Sequence, residues 1–229
     1  MVLPELFSTG YELNIVGPHV PELAEPVDGP TVRALQDAAR AGNCYVVAGL
    51  ALAYDMAGVP FNSSVVIDRQ GSFWARTTSS ICGRSSAYYS ARLRLPGVRH
   101  RLRRIGVMIC YDMGFPRSRM LALQGLILSC RPSAWCQEDM DVWDVNAPAR
   151  ALENTAFVAA VNRYGAEDQL VMPRRSVCNP ARPRGGRAGR RGRRGAVCGA
   201  RPERSGRLSL SAACTARPSP RPYDLVLLP

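Results

Sequence analysis

The chain has 229 residues of which 46% are apolar, enough for one sizeable core and too apolar for a disordered or fibrous protein. Its formal net charge is +12, and every one of its 30 basic residues is arginine. Residues 1–172 balance 16 arginines with 16 acids, whereas 173–229 set 14 arginines against Glu203 and Asp224, so the basic excess belongs to the tail alone.

No apolar run approaches the roughly 20 residues of a membrane-spanning helix; the stretch from Cys44 stops at Asp55. The opening MVLPELF lacks a basic segment followed by an apolar one and does not read as a signal peptide, so a cytoplasmic location is expected. Eight cysteines occur without a C-x-x-C pair, and His19 and His100 are the two histidines, which argues against a zinc site and a disulfide scaffold and for mostly reduced thiols.

In chain order, residues 31–41 carry Val32, Leu35 and Ala38/Ala39 on one helical face, and Gly42-Asn43 stops the helix. CYVVAGLAL (44–52) is expected as a buried strand, and FNSSVVID (61–68) with FWAR (73–76) as a hairpin around a glycine-containing turn. IGVMIC (105–110) reads as a strand, 116–124 as a helix and LILSC (126–130) as a strand. A helix over 139–154 and a strand over FVAAVN (157–162) follow. This alternation predicts an α/β layered domain over 1–172. Two stretches show neither period: 69–104, with nine arginines and no acid, and 174–220, without an aromatic residue. The domain is thus expected to be interrupted over 76–104 and followed by a basic low-complexity tail, 173–229, that is not a domain.

Cys110 stands where an apolar strand ends and a helix is about to begin. A helix N-terminus there would lower the thiol pKa and favour the nucleophilic thiolate, and the backbone N–H of Tyr111 would face a developing oxyanion. A buried structural cysteine is the competing reading of the local pattern.

PELFSTGY (4–11) and GVMICYDMGFP (106–116) resemble the glutamate and cysteine segments of the nitrilase superfamily, the carbon–nitrogen hydrolases. The likeness continues through YVVAGLA (45–51), FNSSVVIDRQG (61–71), PSAW (132–135) and ARALENTAFVAAVNR (149–163). The resemblance implies an α-β-β-α sandwich and hydrolysis of a nonpeptide amide, carbamoyl or nitrile C–N bond without metal or organic cofactor. By the same resemblance Glu5 is the general base, Cys110 the nucleophile that forms a thioester, and Tyr111, Trp135 and Asn162 border the oxyanion and substrate pocket. A second Pro-Glu-Leu at 21–23 means that the longer match singles out Glu5. The implied partners are a small amide or nitrile substrate and a further copy in a homo-oligomer, with no membrane.

The family's third catalytic group, a lysine, is due at about 77–80, where the chain reads Thr-Thr-Ser-Ser. Arginine elsewhere is a poor substitute, being planar, bulkier and permanently charged. Residues 76–83 can be encoded by codons that, read one base earlier, spell Tyr-Asp-Lys-Leu-His-Leu-Trp, which resembles the family's lysine segment and suggests a frame-disrupted copy. The family's first strand and helix are also expected to be missing ahead of PELF, and QGLILSCRPSAW (124–135) reads as shortened and shuffled. Impaired turnover is therefore expected. Two alternatives stand: a nucleic-acid-binding protein using the Arg/Gly-rich 187–195, disfavoured for want of stacking aromatics, and a degenerate non-catalytic family member.

Overall fold

The apolar run 44–52 forms, in the computed structural model, a strand whose two faces meet different partners. The structure describes residues 1–53, 59–79, 97–98 and 104–179. Short helices α1 (Leu13–Val16) and α2 (Val20–Leu23) precede α3 (Pro30–Ala41), and then come β1 (Val46–Ala53), β2 (Pro60–Ile67) and β3 (Phe73–Thr78). Two-residue β4 (Gly97–Val98) is followed by β5 (Arg104–Val107), α4 (Arg117–Leu123), β6 (Leu126–Ser133), α5 (Met140–Glu153) and β7 (Phe157–Asn162). The described part ends with β8 (Gly165–Glu167), β9 (Leu170–Met172) and β10 (Val177–Asn179).

β1, β2 and β3 form an antiparallel sheet, and β10-β7-β6-β5-β4 a second one in which β5, β6 and β7 run parallel. Val46, Ala48, Leu50 and Leu52 of β1 face Val32, Leu35 and Ala39 of α3. Each such large aliphatic side chain contributes about 1.5–3 kcal/mol by burial. From the opposite faces, Val47 and Val66 meet Val107 of β5 and Cys130 of β6 between the sheets. Beyond the second sheet, Leu121 of α4 packs on Met108 and Leu126, while Trp143, Ala147 and Ala151 of α5 cover Val158 and Ala160. The layers run helix, sheet, sheet, helix, which is the expected α-β-β-α sandwich.

The β2–β3 turn forms because Asp68 Oδ1 accepts from the N–H groups of Gln70 (2.9 Å) and Ser72 (2.8 Å). Gly71 takes φ +77 against Gln36 O, where a Cβ would lie 2.7 Å away. β6 runs three residues past the expected 126–130, to Ser133, because Arg131, Pro132 and Ser133 pair in register with Ala160, Val161 and Asn162 of β7. β10 reaches beyond residue 172 to pair with β7. Most of the expected interruption over 76–104, and the tail after Asn179, lie outside the described residues.

Candidate active site

Residues 4–7 cross β1 at Gly49, whose N–H donates to Pro4 O (3.2 Å) and whose carbonyl accepts from Phe7 N (3.2 Å). A Cβ at position 49 would stand 2.6 Å from Glu5 Cα, so glycine sets how closely the loop approaches the strand. Glu5 is only 2% exposed. Asn62 Nδ2 donates to its Oε1 at 2.6 Å, and the backbone N–H of Ala134 donates to its Oε2 at 2.9 Å. The thiol of Cys110, whose Sγ lies 3.9 Å from Ala134 O, is near enough for the two groups to perturb each other's ionisation. Burial pushes the Glu5 pKa up to about 7, with the negative charge of Asp112 adding to the rise and Asn62, the Cys110 thiol and the Ala134 N–H opposing it.

Cys110 reaches the same place from the second sheet. Met108 N still donates to Cys130 O (3.1 Å), and the chain then leaves the sheet in a tight 3-10 turn, Cys110–Gly114. Cys110 opens it at φ +44, a left-handed conformation that costs a non-glycine residue about 1–3 kcal/mol and persists only when neighbours enforce it. Asp112 supplies that enforcement: its N–H donates to Ile109 O (2.9 Å) and its Oδ2 accepts from Ile109 N (3.1 Å). Its Oδ1 accepts from Ser79 Oγ (3.3 Å) and lies 4.0 Å from Arg117 Nη1. Arg150 Nε fixes the far end of the turn through Met113 O (2.9 Å).

The expected lowering of the Cys110 pKa by a helix N-terminus is corrected. The regular helix begins only at Arg117, and burial, followed by the charge of Glu5, pushes the thiol well above its ordinary range. Glu5 is the carboxylate whose charge adds to the effect of burial on this thiol.

Of the other expected residues, Tyr111 is 46% exposed, and its ring centre lies 6.0 Å from that of buried Trp135, which in turn neighbours Trp143 at 5.7 Å. The Asn162 amide is engaged by main chain at both ends: Oδ1 accepts from Trp135 N (2.6 Å), and Nδ2 donates to Trp135 O (3.0 Å) and Pro173 O (3.2 Å). At the expected lysine position stand Thr77, Thr78 and Ser79, all buried, with Ser79 N donating to Asn62 O at 2.8 Å. Sequence reasoning missed Asn62, Asp112 and Ala134. For Asn62 a signal existed, since β2 is buried along its whole length and an amide there demands a partner. Among the described residues no group of three or more His, Cys, Asp or Glu side chains could hold a metal ion, and no helix is long and apolar enough to cross a membrane.

The family model for carbon-nitrogen hydrolases matches residues 1–176. The chain belongs to the carbon–nitrogen hydrolase family. It is 33% identical to a nitrilase of Pyrococcus abyssi, over 74% of this chain and 64% of the relative. To an (R)-stereoselective amidase of a Pseudomonas species it is 31% identical, over 73% of this chain and 60% of the relative. The chain thus spans less than two thirds of the length of these curated relatives. Among solved structures it resembles a mutant amidase of Nesterenkonia sp. bearing the acetamide moiety of fluoroacetamide on its active site cysteine. That likeness has a TM-score of 0.70 and 25% identity, covering 79% of this chain and 68% of that one. Amidases and nitrilases are hydrolases, and this chain carries the fold they share.

Proposed function

We propose that this carbon–nitrogen hydrolase cleaves a nonpeptide amide, carbamoyl or nitrile C–N bond of a small molecule, with Cys110 as nucleophile and Glu5 as general base. The observation that carries the reading is a buried carboxylate with a pKa near 7 beside a buried thiol whose own pKa is pushed up, the two brought from different sheets to one peptide segment at Ala134. For an amide, the Cys110 proton passes to Glu5 as the sulfur–carbon bond forms, giving a tetrahedral oxyanion within reach of backbone N–H groups of the Cys110 turn, that of Tyr111 first. Glu5 returns the proton to the leaving nitrogen as the C–N bond breaks. The carboxylate then takes a proton from water, which attacks the thioester, and the acid leaves with the thiol restored. No cofactor enters this sequence.

Turnover is weak, because buried Glu5, Asp112 and the developing thiolate and oxyanion share one region in a chain without lysine. The test is a panel of small amides, carbamoyl compounds and nitriles assayed with wild type and Cys110→Ala. Slow hydrolysis that disappears in the variant is expected; hydrolysis that survives it refutes Cys110 as nucleophile. The nucleic-acid-binding alternative gains nothing from the described residues, since 187–195 lies outside them.

A further inference from the structure

The C-terminal end of β7 contacts both loops that meet at Glu5. Asn162 holds the backbone of Trp135, directly after the Ala134 N–H that donates to Glu5 Oε2. Arg163, the next residue, takes the other loop. Its N–H donates to Ser133 O (3.0 Å), and its Nη1 donates to Leu6 O (2.8 Å) and, more weakly, Glu5 O (3.4 Å). Arg163 Nη2 is paired with Glu167 Oε1. Glu167 Oε2 in turn accepts from the N–H groups of Tyr11 (2.5 Å) and Glu12 (2.9 Å), so the pair grips residues 5–12 at both ends. Against the upward push of desolvation, those two N–H groups and the Arg163 charge hold the Glu167 carboxyl below its usual range.

This grip is placed where the loop needs one. Leu6 sits at φ +45, a left-handed conformation that L-residues leave unless held, and its carbonyl accepts from Arg163 as well as from Gly10 N (3.1 Å). On its other side the loop is bound to Gly49 of β1. The loop is therefore clamped between β1 and β7, and only the β7 side also carries the segment that supplies the Ala134 N–H. A guanidinium is suited to this, since its fixed fork serves a carboxylate and two carbonyls at once.

We infer that Arg163, with Glu167, is a positioning residue that sets the Glu5 carboxylate against the Ala134 N–H and the Cys110 thiol. This rests on the reading of Glu5 and Cys110 as base and nucleophile. Arg163 meets Glu5 through its backbone and touches no reacting atom. Its loss lets Glu5 drift from Ala134, which removes a hydrogen bond to the charged carboxylate and makes the group harder to ionise.

The test follows alkylation of Cys110 by iodoacetamide against pH, read by peptide mass spectrometry on the full chain, with Cys44 in the same sample as reference. In wild type the Cys110 rate rises through a midpoint near 7. In Arg163→Met and Glu167→Gln the midpoint moves up by about one pH unit, which lowers the rate at pH 7 by about fivefold. Arg163→Lys, which keeps a charge and one donor, recovers part of the shift. Arg119→Met is the control for mere destabilisation, since Arg119 caps the end of α5 through Glu153 O (2.8 Å), away from Glu5. If it moves the midpoint as far as Arg163→Met does, or if none of the Arg163 and Glu167 variants moves it, the inference is overturned while the wild-type midpoint still supports Glu5 and Cys110. A wild-type Cys110 no faster than Cys44 at any pH overturns both. Should Arg163→Met fail to fold, Arg163→Lys and Glu167→Gln decide the question alone.

Discussion

The backbone N–H of Ala134 donates to Glu5 Oε2 at 2.9 Å, although 129 positions separate the two in sequence. The carbonyl oxygen of the same Ala134 lies 3.9 Å from Cys110 Sγ. One peptide segment at the end of β6 thus contacts both the carboxylate from the first loop and the thiol from the turn after β5. The parallel pairing of β5 with β6 brings the cysteine to that segment, and the sandwich brings the glutamate.

The buried carboxylate makes stability depend on pH in a definite direction. Glu5 ionises at about 7 in the folded chain against 4.5 when unperturbed. Between those values the folded state binds more protons than the unfolded one, so stability falls as pH rises from 4.5 to 7, and the cost, up to about 3 kcal/mol, is complete above 7. Glu5→Gln removes this dependence, and the Asn62 amide, whose Oδ1 has no partner, can turn over to accept from the new Nε2. Thermal melts at pH 5 and pH 8 should show a gain at pH 8 and little change at pH 5. Equal changes at both would contradict the raised pKa.

Gly49 tests the loop approach. Gly49→Ala places a methyl group 2.6 Å from Glu5 Cα and 2.9 Å from Pro4 O, both main-chain atoms that cannot swing aside. Overpacking of this kind costs about 1–3 kcal/mol and displaces the carboxylate. Chemical denaturation should register the loss, and Cys110 alkylation at pH 7 should slow with it. Unchanged values in both would mean the loop yields freely.

Arg131 is the least comfortable residue of the core. It is 1% exposed in the middle of β6, its Nε donates to Ser129 Oγ (3.0 Å), and its Nη1 and Nη2 have no partner. Burial, with the nearby Arg150 charge, pushes its pKa down to about 9. An apolar residue of similar length removes an uncompensated buried charge, so Arg131→Met should stabilise the chain by about 1–4 kcal/mol in urea titration. A loss of stability would show that the guanidinium is compensated.

Ser79→Lys probes the missing cation. Ser79 Oγ lies 3.3 Å from Asp112 Oδ1, so an ammonium entering there would meet that carboxylate and oppose the charge that raises both Glu5 and Cys110. Preorganised charge of this kind is worth about 10²–10³ in kcat where it touches an oxyanion. Turnover of small amides should rise at least tenfold over wild type. No rise in a folded variant would show that the lack of lysine does not limit the rate.

The layers were legible because their signals are local. The 3.6 period over 31–41 and the continuous apolar run of 44–52 survive in α3 and β1, and the hairpin turn follows from Asp68 and Gly71. The site was legible only as separate pieces. Glu5 and Cys110 stood out through the resemblance, whereas their shared partner, Ala134, acts through its backbone and leaves no mark on residue type. The state of the thiol was misread because a strand-to-helix junction looks alike in sequence whether the next element is a regular helix or the 3-10 turn of Cys110–Gly114. The roles of Arg163 and Glu167 depend on which carbonyls and N–H groups they reach across the fold, which spacing does not encode.

Glu5 is held by two donors of different genetic fragility. The Asn62 side chain can be lost to a single base change, but the donor at 134 belongs to the polypeptide itself and survives every replacement except proline. Substitution at 62 therefore removes one donor to the carboxylate outright, whereas substitution at 134 leaves the other in place.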